Sequence, residues 1–243
     1  MISGANSPAV PYPSASRAWY IVTLLTLAYI LSFFDRQILS LLIEPIKRSF
    51  ELSDTQVGLL LGPAFAVFYV TLGYPAGILA DRKSRKILIA AGISVWCLMT
   101  ALCGLAKDFK QLFAARVGVG VGEATLTPAA LSLICDSFPH DRRARPISVY
   151  MMGISLGSAL AYLVGGQLLE PMLAWPPLHV PVIGVLHSWQ LAFVIVGLPG
   201  LLLAILVAGI REPARQDLNQ SLDAGSAREA FAAALKYMRN RWQ

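Results

Sequence analysis

Six times along the chain, about 20 residues pass with little or no charge: Trp19 to Leu42, Val57 to Ala80, Ile87 to Ala106, Leu112 to Cys135, Pro146 to Leu169 and Gln190 to Ile210. At 1.5 Å per residue, a helix of that length crosses the hydrocarbon core of a bilayer. Hydrocarbon offers backbone groups no partners, so such runs span as helices whose N–H and C=O groups bond internally. The pattern predicts an all-α membrane protein built as a six-transmembrane-helix bundle with short polar connectors. Composition agrees, since 56% of the 243 residues are apolar and only 14% are charged. A secretory signal does not explain the first run, which is too long and is followed by no small-residue cleavage site.

The net charge of +6 sorts by membrane side and forms no aromatic-interleaved stripe, which argues against nucleic acid as a partner. Arg17, the group Arg82, Lys83, Arg85 and Lys86, the group Arg142, Arg143 and Arg145, and every basic residue from Arg211 onward fall on one side. Only Lys47, Arg48, Lys107 and Lys110 fall on the other. The positive-inside rule then puts both ends of this chain in the cytoplasm of a multi-pass protein of the cell (inner or plasma) membrane. Residues 1–18, rich in Pro, Ser and Ala, read as a disordered cytoplasmic lead-in, and residues 19–210 as the transmembrane bundle. Residues 211–243 read as a cytoplasmic linker with an interfacial amphipathic helix from about Ala227, where Phe231, Leu235, Met238 and Trp242 share a face. The proline-bearing connector from Glu170 to Ser188 reads as a rigid extended loop.

Cys97, Cys103 and Cys135 sit within or at the ends of apolar runs without metal-ligand spacing, as small packing residues do. His140, His179 and His187 all fall in connectors, and no paired-aspartate or Ser-His arrangement lies within a span. An intramembrane enzyme is a poor fit, and no cofactor is expected.

Four charges lie inside the spans: Asp35 and Arg36 in the first, Arg116 and Glu123 in the fourth. Each costs at least ~2.5 kcal/mol at mid-bilayer, so all four are expected to face protein or a water-filled cavity and to pair. By helix rise, Asp35 and Arg116 lie at similar depth. Glu123 lies two turns deeper on the face of Arg116, within reach of the long Arg36 side chain. A carboxylate held between desolvation and a neighbouring arginine is poised to switch protonation, which makes Glu123, and second Asp35, candidates for proton coupling. Arg36 and Arg116 form the substrate or ion-pair cluster. The plainer alternative is a static ion pair that locks two helices together.

The connector between the second and third runs reads Gly77-Ile-Leu-Ala-Asp81-Arg82-Lys83-Ser-Arg85-Lys86, and there the chain resembles the major facilitator superfamily. The fourth run carries a second resemblance, Arg116-Val-Gly118-Val-Gly120-Val-Gly122-Glu123-Ala124. Its glycines lie in one continuous apolar stretch, without the strand-turn-helix context of a dinucleotide fingerprint. With Pro128, Phe138-Pro139 and Arg142 to Pro146, the set is similar to the spinster branch of that superfamily.

The resemblance implies the amino-terminal half of a twelve-helix fold, itself a 3+3 inverted repeat, with the carboxy-terminal six-helix half missing from this chain. It implies a secondary transporter energised by a proton gradient and moving an amphipathic, lipid-like solute. An organic-anion symporter or drug exporter of the same fold is the alternative, and a non-transporting membrane scaffold or inactive half is the alternative of another class. Gly77, Asp81, Arg82, Arg85 and Lys86 would be the cytoplasmic gating motif, with Arg85 bonding Asp81 or lipid phosphate and Gly77 allowing close helix approach. The implied partners are the bilayer, protons and a small amphipathic or anionic solute.

Overall fold

A computed structural model of the chain describes residues 11–165, 167, 175, 178–180 and 184–216. The expected amphipathic helix from about Ala227 lies outside the described residues. Among the described residues, six helices are long and apolar enough to cross a membrane: α1 (Ala15–Phe50), α2 (Asp54–Arg82), α3 (Arg85–Cys103), α4 (Phe109–Ser137), α5 (Ala144–Val164) and α6 (Ser188–Ala208). Four of them are interrupted locally, α2 at Gly62, α4 at Ala124–Thr125, α5 at Met152 and α6 at Leu198.

Helix α1 begins at Ala15, inside the stretch expected as a disordered lead-in, because Ala18 is already buried in the core and Trp19 meets Phe138 edge-on at 5.6 Å. It continues past Leu42 to Phe50, 36 residues in all, or about 54 Å. Its last turns therefore stand clear of hydrocarbon, where Lys47 pairs with Asp54 at the start of α2. Between α5 and α6, part of the expected extended loop is instead a short antiparallel pair, β1 (Leu178–Val180) with β2 (Gly184–Leu186).

Burial exposes an internal symmetry. The most apolar windows of α1, α2 and α3 are 61%, 17% and 39% buried, and those of α4, α5 and α6 are 56%, 22% and 39% buried. The first helix of each trio is central, the second peripheral and the third intermediate, which is the pattern of a three-helix unit used twice. Helix α1 packs along α5, α4 lies between α2 and α3, and α3 also packs against α6.

The alternate glycines of α4 serve this packing on two faces. A Cβ at Gly120 would sit 2.8 Å from the Phe65 carbonyl oxygen of α2, and one at Gly122 would sit 2.7 Å from the Trp96 amide nitrogen of α3. Both obstacles are backbone, which cannot swing away as a side chain can. Gly122→Ala is expected to destabilise the bundle by about 1–3 kcal/mol, the usual cost of overpacking. Gly73→Ala, where the added carbon meets nothing within 4 Å, is expected to be neutral or mildly stabilising. Thermal unfolding of the two variants side by side checks the contrast, and equal melting points would remove the packing argument.

The core divides into two apolar clusters. One takes residues up to Tyr29 on α1 and Cys97 on α3, and the other begins at Phe34 and Cys103. Ser32, Asp35, Thr100 and Arg116 fall at the seam between them.

Candidate functional site

Asp35 and Arg36 are neighbours in sequence, so their side chains leave α1 about 100° apart. That divergence separates their partners. Arg36 turns toward α4, where its Nη2 lies 2.6 Å from Glu123 Oε2 and its Nε donates to the same oxygen at 2.8 Å. Asp35 turns toward α3 and accepts a hydrogen bond from Thr100 Oγ1 at 3.1 Å. The side-on pairing of Asp35 with Arg116 suggested by equal depth does not form, and no ion pair links them.

Glu123 receives a second donor. Ser32, one turn before Arg36, donates from Oγ to Glu123 Oε2 at 2.7 Å. The carboxylate is fully buried, while the Arg36 side chain keeps 23% of its surface exposed. The Arg36 guanidinium is flanked by aromatic faces, with its carbon 4.7 Å from the Phe33 ring, 4.5 Å from Phe65 and 4.7 Å from Tyr69. Each cation–π contact contributes roughly 0.5–2 kcal/mol depending on desolvation. Arg36 therefore has holding forces besides Glu123.

Arg116 is buried, with its guanidinium carbon 5.8 Å from the centre of the Phe65 ring that Arg36 also meets. Its Nε and Nη1, together with Asp35 Oδ1 and Glu123 Oε1, have no hydrogen-bond partner among the described residues. Unpaired buried polar atoms are costly, so each calls for a partner that the neighbouring protein groups do not supply, water included. The cluster thus combines one ion pair with a spare carboxylate oxygen, one carboxylate held only by Thr100 and one arginine with two unbonded donors among the described residues. Among the described residues no three His, Cys, Asp or Glu side chains gather as metal ligands.

The glycine–aspartate–arginine motif between α2 and α3 is arranged differently from expectation. Asp81, Arg82 and Lys83 are exposed, and Asp81 makes no ion pair among the described residues. Arg85 is buried instead and bonds neither Asp81 nor the surface. Its Nη1 pairs with Asp136 of α4 and donates to Ser132 Oγ at 3.0 Å, and its Nε donates to Glu212 Oε1 at 2.8 Å. Its Nη2 donates to the Pro213 carbonyl at 3.1 Å. Glu212 also accepts from Ser84 Oγ at 2.6 Å and from the Arg85 amide at 3.1 Å. Arg215 closes the cluster by donating to the carbonyls of Ala80 and Lys83 at 2.8 and 2.7 Å, which serve the open end of α2. Burial alone would raise the Glu212 carboxyl, but the hydrogen bonds from Ser84 and Arg85 and the Arg85 charge bring it below its ordinary value. Gly77 leaves room for a methyl group, whose nearest neighbour would be Pro128 Cβ at 3.9 Å, so close approach is not its role in this conformation.

Sequence reasoning missed Ser32, Thr100 and the aromatic triad in the membrane, and Asp136, Glu212 and Arg215 at the bundle end. A topological signal for the last group was present. The ends of α2, α4 and α6 and the start of α3 all emerge on one side, so carboxylates closing α4 and α6 must meet an arginine opening α3.

Comparison with known proteins agrees with this architecture. Residues 25–243 match the sequence profile of the Major Facilitator Superfamily. An MFS-type efflux pump of Mycolicibacterium smegmatis is 36% identical over 199 residues, covering 81% of this chain and 43% of that protein. A probable L-galactonate transporter of Escherichia coli is 30% identical over 210 residues, covering 84% of this chain and 43% of that protein. The crystal structure of a bacterial homolog of the human lysosomal transporter spinster, inward-facing and unoccupied, superposes with a TM-score of 0.76 at 38% identity. That match covers 84% of this chain and 45% of the other. The chain therefore spans just under half the length of these relatives, which are transporters and not enzymes. A six-helix, twice-repeated bundle with this sequence is a multi-pass membrane protein that belongs to the Major Facilitator Superfamily, in its spinster-like branch.

Proposed function

We propose that this chain is the amino-terminal half of a proton-coupled secondary transporter for an amphipathic organic or lipid-like solute with an anionic head. The observation that carries the reading is the buried pair of Arg36 with Glu123 at 2.6 Å. A charged Glu123 holds Arg36. Protonation of Glu123 removes that anion and leaves a guanidinium, fixed among three rings, ready for another. A solute carboxylate or phosphate then binds best when the proton is bound, which is the condition for moving both together. Arg116, with two free donors, is the second anion anchor, and Asp35 the second proton site.

The exposed apolar faces of α2 and α5, the least buried helices, would dock the second six-helix half around the midplane cluster. Both ends of the chain would face the cytoplasm, with Gly77, Asp81, Arg82, Arg85 and Lys86 at the inner gate. A second reading, transport of a small organic anion, draws support from the two arginines and from the likeness to a galactonate transporter.

The test uses the six-helix chain together with its second half, reconstituted in vesicles that enclose a pH dye. An amphipathic carboxylate added outside is expected to accumulate under an imposed pH gradient and to carry protons with it. A protonophore is expected to abolish accumulation. Uptake identical with and without the gradient would sink the coupling, and no uptake of any anion would leave the scaffold reading standing.

A further inference from the structure

At the end of the bundle that carries the basic connectors, a cavity of about 670 Å³ opens between the start of α1 and the loop joining α4 to α5. Its volume lies within the range of small-molecule sites. Trp19 and Phe138, in edge contact, form an apolar wall, and Tyr12, Arg142 and Arg145 line the rest with Asp141. Among the described guanidinium groups at this end, Arg17, Arg82 and Arg211 are as uncommitted as Arg142 and Arg145 but do not line the cavity, and the remaining three are already engaged. Arg85 and Arg215 are tied into the carboxylate and carbonyl cluster, and Arg143 donates to the Phe138 carbonyl at 3.1 Å. Arg145 makes no hydrogen bond or ion pair among the described residues. Arg142 has only Asp141, 3.6 Å away, with both side chains at least three-quarters exposed.

We infer that this cavity binds the headgroup of an anionic phospholipid, with the phosphate on Arg142 and Arg145 and the glycerol and first acyl carbons along Trp19 and Phe138. Charge complementarity selects the occupant. Two arginines outweigh one aspartate, and the apolar wall lies where α1 and α5 enter the membrane, the level at which tryptophan marks the lipid interface. A free phosphate would use the arginines and leave the wall unused. A phospholipid uses both. The inference does not require that the chain transport anything.

The experiment is native mass spectrometry of the detergent-purified chain titrated with phosphatidylglycerol or phosphatidylcholine. The wild type is expected to retain one phosphatidylglycerol in preference to phosphatidylcholine. A basic side chain near an anionic lipid surface strengthens binding about fivefold, so R142Q with R145Q is expected to weaken retention by roughly 25-fold. Both positions are exposed, and an unchanged melting point shows that the variant still folds. R142K with R145K is expected to keep most of the preference. Equal retention by the glutamine variant, equal retention of the two lipids, or displacement of the lipid by millimolar inorganic phosphate would each overturn the inference. So would a requirement that residues 1–10 be removed before any lipid is retained, because the chain's own start would then be the occupant.

Discussion

Replacing Glu123 by glutamine is expected to leave solute exchange running across a sealed vesicle while abolishing accumulation driven by a proton gradient. Glutamine imitates the protonated acid. Its carbonyl oxygen still accepts from Ser32 and Arg36, where Glu123 Oε2 now accepts at 2.7 and 2.8 Å. The geometry survives, and the loss is the extra strength of a charged acceptor, about 1 kcal/mol. What disappears is the choice between two protonation states. On the proposed mechanism the variant holds Arg36 permanently available to a solute anion, so binding and exchange continue at rates within about threefold of wild type while net proton movement stops. Glu123→Ala is a harsher change, since it strips both donors of their acceptor and leaves Arg36 to its rings. The measurement is counterflow alongside gradient-driven uptake in the same vesicles. Wild-type accumulation by the glutamine variant would move the proton site to Asp35, and loss of both activities together would reduce the pair to a helix lock.

The Arg36–Glu123 pair was legible in the sequence because its logic is one-dimensional: hydrocarbon penalises a lone charge, helix rise fixes its depth, and only four such charges exist. The failure of Asp35 to meet Arg116 was not legible, because depth alone does not fix direction. Successive residues on a helix point 100° apart, so when Arg36 faces α4 its neighbour is committed to α3 and to Thr100. The aromatic triad was hidden for a related reason. Phe33 is local to Arg36, but Phe65 and Tyr69 arrive on α2, brought close by the missing side chain of Gly120. The alternate glycines signalled close packing in sequence, yet only the packed bundle assigns Gly120 to α2 and Gly122 to α3. At the bundle end, Asp136 lies one residue beyond the apolar run that ends at Cys135, where the sequence alone reads as connector. The motif alone offers Arg85 only Asp81, although a two-residue extension of α4, to Ser137, buries Asp136 beside it.

That buried arginine supports the largest expected loss of stability. Arg85 is 1% exposed and faces Asp136 and Glu212, whose side chains keep 9% and 20% of their surface. Removing it leaves two carboxylates close together without their shared cation. Breaking a buried pair costs about 3–5 kcal/mol, and the partial exposure of Glu212 argues for the lower end of that range. Arg85→Ala is therefore expected to lower the melting temperature by about 6–12 °C, at the usual 2–4 °C per kcal/mol for chains of this length. Exchange of amide hydrogens in residues 209–216 should quicken at least about tenfold, since this segment is held by Arg85 and, through the Gln216 amide, by Asp136. Arg85→Lys keeps the charge but not the fork that reaches both carboxylates, and is expected to fall between. Neutralising the carboxylates separates charge from shape: adding Asp136→Asn and Glu212→Gln to Arg85→Ala should recover much of the loss, because no uncompensated charge then remains. Acid gives the same separation without mutation. Glu212 titrates below its ordinary value of 4.5 in the folded chain, so its contribution is complete above that pH and fades as pH falls through the lowered value. The gap between wild type and Arg85→Ala should accordingly narrow as the pH falls from about 5 through the lowered value, below which Glu212 is protonated in both. A gap that stays constant across that range, or a triple variant no more stable than Arg85→Ala, would mean that Arg85 holds the bundle end by packing and not by charge.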